Sequence, residues 1–195
     1  MKVVNALVEG DMDEAAVKRI IEAAGHLPGT VYGKRGYGYI REKIGGFNLA
    51  SQGAHYIALV DFMDTRLSCP PEVISNWLSN RLPNMLFRVV VRELESWLLA
   101  DRQNLAKFLH IDVAKVPVSP ELVHDPKQAL VNLARRSRSK RVREALVPQV
   151  GSTATVGKLY KSEMISFIQE HWNIVTARGN APSLDRCLME LERLN

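Results

Sequence analysis

The sequence predicts an α/β fold with a mostly parallel sheet, followed by a helical half packed on it. Three observations carry that expectation. Residues 2–8, 54–60 and 85–91 are near-continuous apolar runs, as strands covered on both faces would be. Sequence with helical spacing alternates with them, which implies crossover connections. Beyond Glu93 the pattern is helical throughout. With 195 residues, 46% hydrophobic and 24% charged, the chain can bury a core without disulfide or metal, and disorder, collagen and small disulfide scaffolds are excluded. It reads as one domain over 1–195, an α/β core at 1–101 and a helical extension at 102–195.

Taken in order, the first run ends at Glu9-Gly10. A helix follows, with Asp11 as N-cap, Glu14 as its reciprocal partner, and Ala15, Ile20, Ile21 and Ala24 as apolar positions. The stretch 29–53 carries a short strand at 30–32 and then Gly33, Gly36, Gly38, Gly45 and Gly46, which read as a mobile loop. The second run stops at Asp61. Pro71 stands at the start of a crossover helix bearing Val73, Ile74, Trp77 and Leu78, and the third run ends at Val91. Helices are expected at 93–109, 126–137, 139–147, 158–172 and 183–194, the last with Leu184, Cys187, Leu188 and Leu191 at i, i+3, i+4, i+7.

No stretch approaches the roughly 20 apolar residues of a membrane span, and the start has no signal-peptide pattern, so a cytoplasmic protein with no membrane partner is expected. Cys69 and Cys187 match no metal or redox spacing and read as ordinary thiols. His26, His55, His110, His124 and His171 are scattered, which argues against zinc. Neither a Walker A loop nor a dinucleotide-binding glycine pattern is present.

Acidic residues fall where the strands end. In a parallel sheet all strands end on one edge, and open α/β folds bind ligands in the crevice beyond it. Glu9 ends the first run, Asp61 the second with Asp64 one turn beyond, and Glu93 and Glu95 follow the third. Converging carboxylates repel, and a divalent cation with oxygen ligands, Mg²⁺ or Mn²⁺, relieves that repulsion. Such an ion polarises a phosphodiester and activates water, so hydrolysis is the expected reaction class. Each acid also has a plainer reading. Glu9 could favour a helix N-terminus, Asp64 could cap a turn, and Glu93 reads as a first-turn acid before a core Trp97. Glu95 is compatible equally with metal binding and with an ion pair to Arg102.

Residues 1–101 carry 11 Lys and Arg against 12 Asp and Glu, a balance of −1, whereas residues 102–195 carry 15 against 9, or +6. The excess concentrates at 135–143, where Arg135, Arg136, Arg138, Lys140, Arg141 and Arg143 point to a phosphate backbone; a solvated helix surface is the alternative. Lys34 and Arg35, among glycines and beside Tyr37 and Tyr39, form a second candidate contact with nucleic acid.

Leu7-Val8-Glu9-Gly10, the run ending at Asp61, Arg92-Glu93-Leu94-Glu95-Ser96-Trp97-Leu98-Leu99-Ala100-Asp101, Asp125-Pro126-Lys127 and Pro182-Ser183-Leu184 together resemble one family. It is the Toprim-like proteins grouped as domain of unknown function 4276, related to overcoming-lysogenization-defect nucleases. The resemblance implies a Rossmann-like Toprim domain with a Mg²⁺ site, Glu9 and Asp61 standing for the family's glutamate and its Asp-x-Asp. The chain departs from that pattern, because Met63 stands two residues beyond Asp61 and the next acid is Asp64. An anti-phage defence role and an ATPase partner are further implications. The expectation is a Mg²⁺- or Mn²⁺-dependent nuclease. Glu9, Asp61, Asp64 and Glu95 would be metal ligands; Glu9, Asp61 and Lys127 would be catalytic; Lys34, Arg35, Arg135, Arg138, Lys140 and Arg141 would hold nucleic acid. The alternative is a non-catalytic Toprim-like subunit that binds an ATPase or nucleic acid.

Overall fold

A computed structural model describes residues 1–194. Strands β1 (Val3–Val8), β2 (Leu27–Gly33), β3 (His55–Asp61) and β4 (Met85–Val90) form one sheet in the order β2-β1-β3-β4, with every neighbouring pair parallel. Parallel neighbours need crossovers. Helix α1 (Asp11–Ala23) joins β1 to β2, α2 (Gly36–Ala50) joins β2 to β3, and α3 (Phe62–Thr65) with α4 (Pro70–Trp77) joins β3 to β4. The connections leave β1 toward β2 on one side and reach β3 and β4 on the other. The crevice of such a sheet therefore opens at the carboxyl ends of β1 and β3.

Side chains alternate along the strands between two apolar layers. Val4, Ala6 and Val8 of β1 with Ile57 and Leu59 of β3 pack under α1 and the C-terminal helices. Leu7, Ala58, Val60 and Phe87 pack under Ile40 and Ile44 of α2 and Val73 of α4. Each fully buried Leu, Ile or Phe here contributes about 1.5–3 kcal/mol by leaving water.

The C-terminal half is helical as expected: α5 (Leu94–Ala100), α6 (Arg102–Phe108), α7 (Pro126–Arg135), α8 (Lys140–Leu146), α9 (Tyr160–Glu170), α10 (Ile174–Arg178) and α11 (Pro182–Glu192), with 3₁₀ turns at Val113–Lys115 and Pro120–Leu122. Every residue of α5 is buried, because α7, α10 and the turn at Pro120–Leu122 enclose it beside the sheet. Trp97 is core, its indole N–H donating to the Ser183 hydroxyl at 2.7 Å. Asp125 caps α7 by accepting the Gln128 N–H at 2.8 Å.

The fold differs from the sequence reading in four places. The strand expected at 30–32 is present within the longer β2, but the rest of 29–53 is not a loop: α2 follows, burying Ile40, Ile44 and Asn48 one turn apart. The start of β2 is hidden from periodicity by a bulge. Its register against β1 slips between Val4 and Ala6, where the Asn5 carboxamide accepts the Thr30 N–H at 2.9 Å and occupies the space a side chain on Gly29 would need. The N-cap of α1 is Gly10 rather than Asp11, since Glu14 is drawn outward by Lys18 and Lys34. The expected helix 93–109 breaks at Asp101, whose buried carboxylate accepts the Asn173 N–H at 2.7 Å and the Asn104 amide. Helix α10 was not anticipated. Among the described residues no helix is long and apolar enough to cross a membrane.

Candidate active site at the carboxyl edge of the sheet

Glu9 follows β1 and Asp61 ends β3, so the two strands that flank the crevice deliver both acids to it. The Glu9 carboxylate accepts the Asp61 backbone N–H at 2.8 Å. Asp64, exposed on the short α3, reaches back to the Glu9 carboxyl, and its charge acts on it. Helix α1 adds Asp13, whose carboxylate accepts the Gly10 backbone N–H.

Glu93 and Glu95 enter from the start of α5 and are both buried. Glu93 accepts the Lys127 backbone N–H at 2.7 Å and its ammonium at 3.0 Å. Glu95 accepts the Tyr160 hydroxyl at 3.0 Å and lies 3.6 Å from the same ammonium. Lys127 stands there because Asp125 and Pro126 start α7 directly over α5. The ion pair of Glu95 with Arg102 considered from spacing is not formed: Arg102 donates to the carbonyls of Val116 and Val113 instead.

Burial sets the protonation of these groups. It pushes Glu9 up to about 7 against the Asp61 N–H, with the Asp64 and Asp13 charges adding to the rise. Burial likewise lifts Asp13 to about 6 and, opposed by Lys127, lifts Glu95 to about 7. Asp61 is carried well above the usual carboxylate range by burial and by Asp13, Glu95 and Glu9. Lys127 is pulled down by burial yet held above its ordinary value by Glu95 and Glu93. Tyr160 is pushed well up by burial beside Glu95.

The donor set suits a hard divalent cation, since every candidate ligand atom is a carboxylate oxygen. Asp61 Oδ1 is buried and has no hydrogen-bond partner, an orphaned acceptor at the centre of the cluster. A bound cation would satisfy that oxygen and reverse the upward shifts. Among the described residues no three His, Cys, Asp or Glu groups are already drawn together as a metal-holding set. Ligation would therefore require the carboxylates to close on an ion.

Glu9, Asp61, Asp64, Glu95 and Lys127 are thus gathered in one region. Asp13, Glu93 and Tyr160 belong to it as well, although the sequence reading did not include them among site residues; Asp13 lies one turn beyond Glu9, the one local signal that could have found it. The basic candidates are arranged differently. Lys34 pairs with Glu14 at 2.9 Å and Arg35 lies 5.5 Å over the Tyr39 ring, at the start of α2 and not on a mobile loop. This segment adjoins the acids, because the Gly36 N–H donates to the Glu9 carbonyl at 3.0 Å. Arg135 lies at the far end of α7, about 12 Å along the helix from Lys127. Arg138 donates to the His110 carbonyl, Lys140 lies 3.7 Å from Glu144, and Arg141 pairs with Glu163 at 2.8 Å. Much of the basic run is therefore engaged within the chain. The chain matches no family model, no curated protein and no solved structure.

Proposed function

We propose that the protein is a Mg²⁺- or Mn²⁺-dependent phosphodiesterase acting on nucleic acid, a Toprim-like nuclease. The observation that carries this reading is the meeting of Glu9 and Asp61 at the crevice of a parallel sheet, with the buried Asp61 Oδ1 left without a hydrogen-bond partner. Glu9, Asp61 and Asp64 would hold the ion, with Glu95 reaching it after exchange of its Lys127 contact. When bound, the metal polarises the phosphoryl oxygen and brings the pKa of water toward neutrality. Where it does not itself hold the ion, Glu9 would accept the proton of the attacking water from its place beside Asp61. Lys127 offsets negative charge on the phosphoryl oxygens, and Tyr160 and Glu93 hold Glu95 and Lys127 in position. Lys34, Arg35 and the cations at 135–143 bind phosphates along the chain. A role in anti-phage defence beside an ATPase partner extends the same reading.

A second reading is favoured by one observation: the Lys127 ammonium already sits on Glu93 and Glu95, supplying in place of a metal part of the charge the acids need. On that reading the chain is a non-catalytic subunit that binds an ATPase or nucleic acid. Cleavage of labelled single- and double-stranded DNA and RNA with Mn²⁺ separates the two. The nuclease reading expects metal-dependent cleavage that is lost in Glu9→Gln and in Asp61→Asn. Binding without cleavage at any metal concentration overturns it.

A further inference from the structure

A pocket of about 330 Å³ lies between β4, α4 and α11 and is lined by none of the acids just described. Pro71 and Ile74 of α4 form one wall, Val89 of β4 and Ser183 of α11 another, and Arg88 and Arg186 both line it. The surface is mostly apolar, yet two guanidinium groups share it. Like charges brought together on an apolar wall repel, so such a pair calls for an anion.

Among the described residues neither arginine has a carboxylate within ion-pair distance, and the Arg88 Nε is buried with no acceptor. The carboxylates carried by the two helices have other partners. Asp185 and Glu192 hold Arg178, Glu190 holds Arg193, and Glu72 accepts the Ser68 N–H. Ser183 is also committed, accepting from Trp97 Nε1 at 2.7 Å and donating to Glu121 at 2.6 Å. What the pocket lacks is an acceptor that comes from outside the chain.

We propose that this pocket is a phosphate-binding site in which Arg88 and Arg186 grip the oxygens of a phosphate ester. The guanidinium fork matches phosphate geometry, and the apolar wall of α4 suits the organic body attached to it. Val91 lines the pocket, and Glu93, two residues further along the chain, is in the acidic cluster. Between them stands Arg92, whose Nε is likewise buried without an acceptor. The site therefore offers uncommitted arginines close in the chain to the acids, whereas much of the basic run at 135–143 is engaged within the chain. Its role as a grip on the substrate rests on the nuclease reading; its capacity to bind phosphate does not.

The test is binding in EDTA, where no metal-dependent cleavage occurs. A short fluorescein-labelled oligodeoxynucleotide is titrated with protein by anisotropy, and AMP is used as competitor. Arg88→Gln and Arg186→Gln are each expected to weaken oligonucleotide binding by about tenfold or more and to lower the salt slope by about one unit. Arg81→Gln, an exposed arginine before β4 at the opposite edge of the sheet, serves as the unchanged control. Displacement by AMP identifies a phosphate monoester as the ligand; binding of the oligonucleotide alone identifies a backbone phosphodiester. Arg186 is exposed, so its variant decides the question if Arg88→Gln does not fold. Unchanged affinity in the double variant, or no binding of either probe to the wild-type protein, overturns the site. Loss of binding in the variants of a protein that never cleaves keeps the phosphate site and removes the nuclease. Metal-dependent cleavage by variants that bind as well as wild type does the reverse.

Discussion

Replacing Glu9 with Gln keeps the shape of the side chain and its acceptor for the Asp61 N–H while removing the ionisable group. In the metal-free protein Glu9 titrates at about 7 rather than 4.5, mainly because it is buried. A carboxyl whose pKa is raised by folding stabilises the fold below its unfolded value and loses that contribution as pH climbs through the folded one. The loss thus falls between about pH 4.5 and pH 7, and a shift from 4.5 to about 7 corresponds to about 3 kcal/mol. For a chain of 195 residues that is roughly 8 °C in melting temperature. Urea unfolding in EDTA at pH 4.5, 6, 7 and 8 measures it. Glu9→Gln is expected to approach or exceed wild-type stability only as pH rises, with the gap between the two proteins changing by about 2–3 kcal/mol from pH 4.5 to pH 8. A gap that stays constant with pH refutes the argument that burial, and not a structural contact, governs this carboxyl.

Other outcomes follow from the same geometry. Saturating Mn²⁺ at pH 8 should stabilise the wild-type protein, by about 2.7 kcal/mol at a hundredfold excess over Kd, and should leave Asp61→Asn unchanged in differential scanning fluorimetry. Lys127→Met leaves the buried Glu93 and Glu95 without their ammonium; allowing for the solvent that reaches Lys127, a loss of about 1–2 kcal/mol is expected at pH 8 and a smaller one at pH 5, by urea unfolding. Gly33→Ala should cost about 2–4 kcal/mol, because Gly33 has φ +96° and a Cβ there would lie 2.3 Å from the Val8 carbonyl oxygen. Ser183→Ala removes the acceptor for the buried Trp97 indole and should lower stability by about 1–3 kcal/mol, with a change in tryptophan fluorescence.

What the sequence made legible depends on how local each signal is. Glu9 and Asp61 could be placed because each closes an apolar run long enough to be a buried strand, and a parallel sheet brings such ends together. Glu93 reads locally as a first-turn acid, and nothing near it announces Lys127, which lies 34 positions on. Tyr160 reaches Glu95 across 65 positions, with no spacing to reveal it. Only the 30–32 part of β2 was legible, its start being obscured by the bulge at Gly29, and α2 was obscured by its glycines, even though Ile40, Ile44 and Asn48 recur every fourth residue. Asp101 ends α5 through a bond to Asn173, which periodicity within 93–109 cannot register. The basic run was visible as charge, but Glu163 and the His110 carbonyl, which engage Arg141 and Arg138, come from other parts of the chain. Arg88 and Arg186 carried no sequence signal, since their distinction is the absence of a carboxylate around them.

The claim on which the rest depends is that the carboxylates of β1 and β3 form a seat for a divalent ion. Anomalous diffraction from crystals soaked in Mn²⁺ tests it most directly. An anomalous peak coordinated by Glu9 and Asp61, with Asp61 Oδ1 among its ligands, is expected. Fully occupied Mn²⁺ elsewhere on the molecule, with Glu9 still bound to the Asp61 N–H and Asp61 Oδ1 still without a partner, would contradict it.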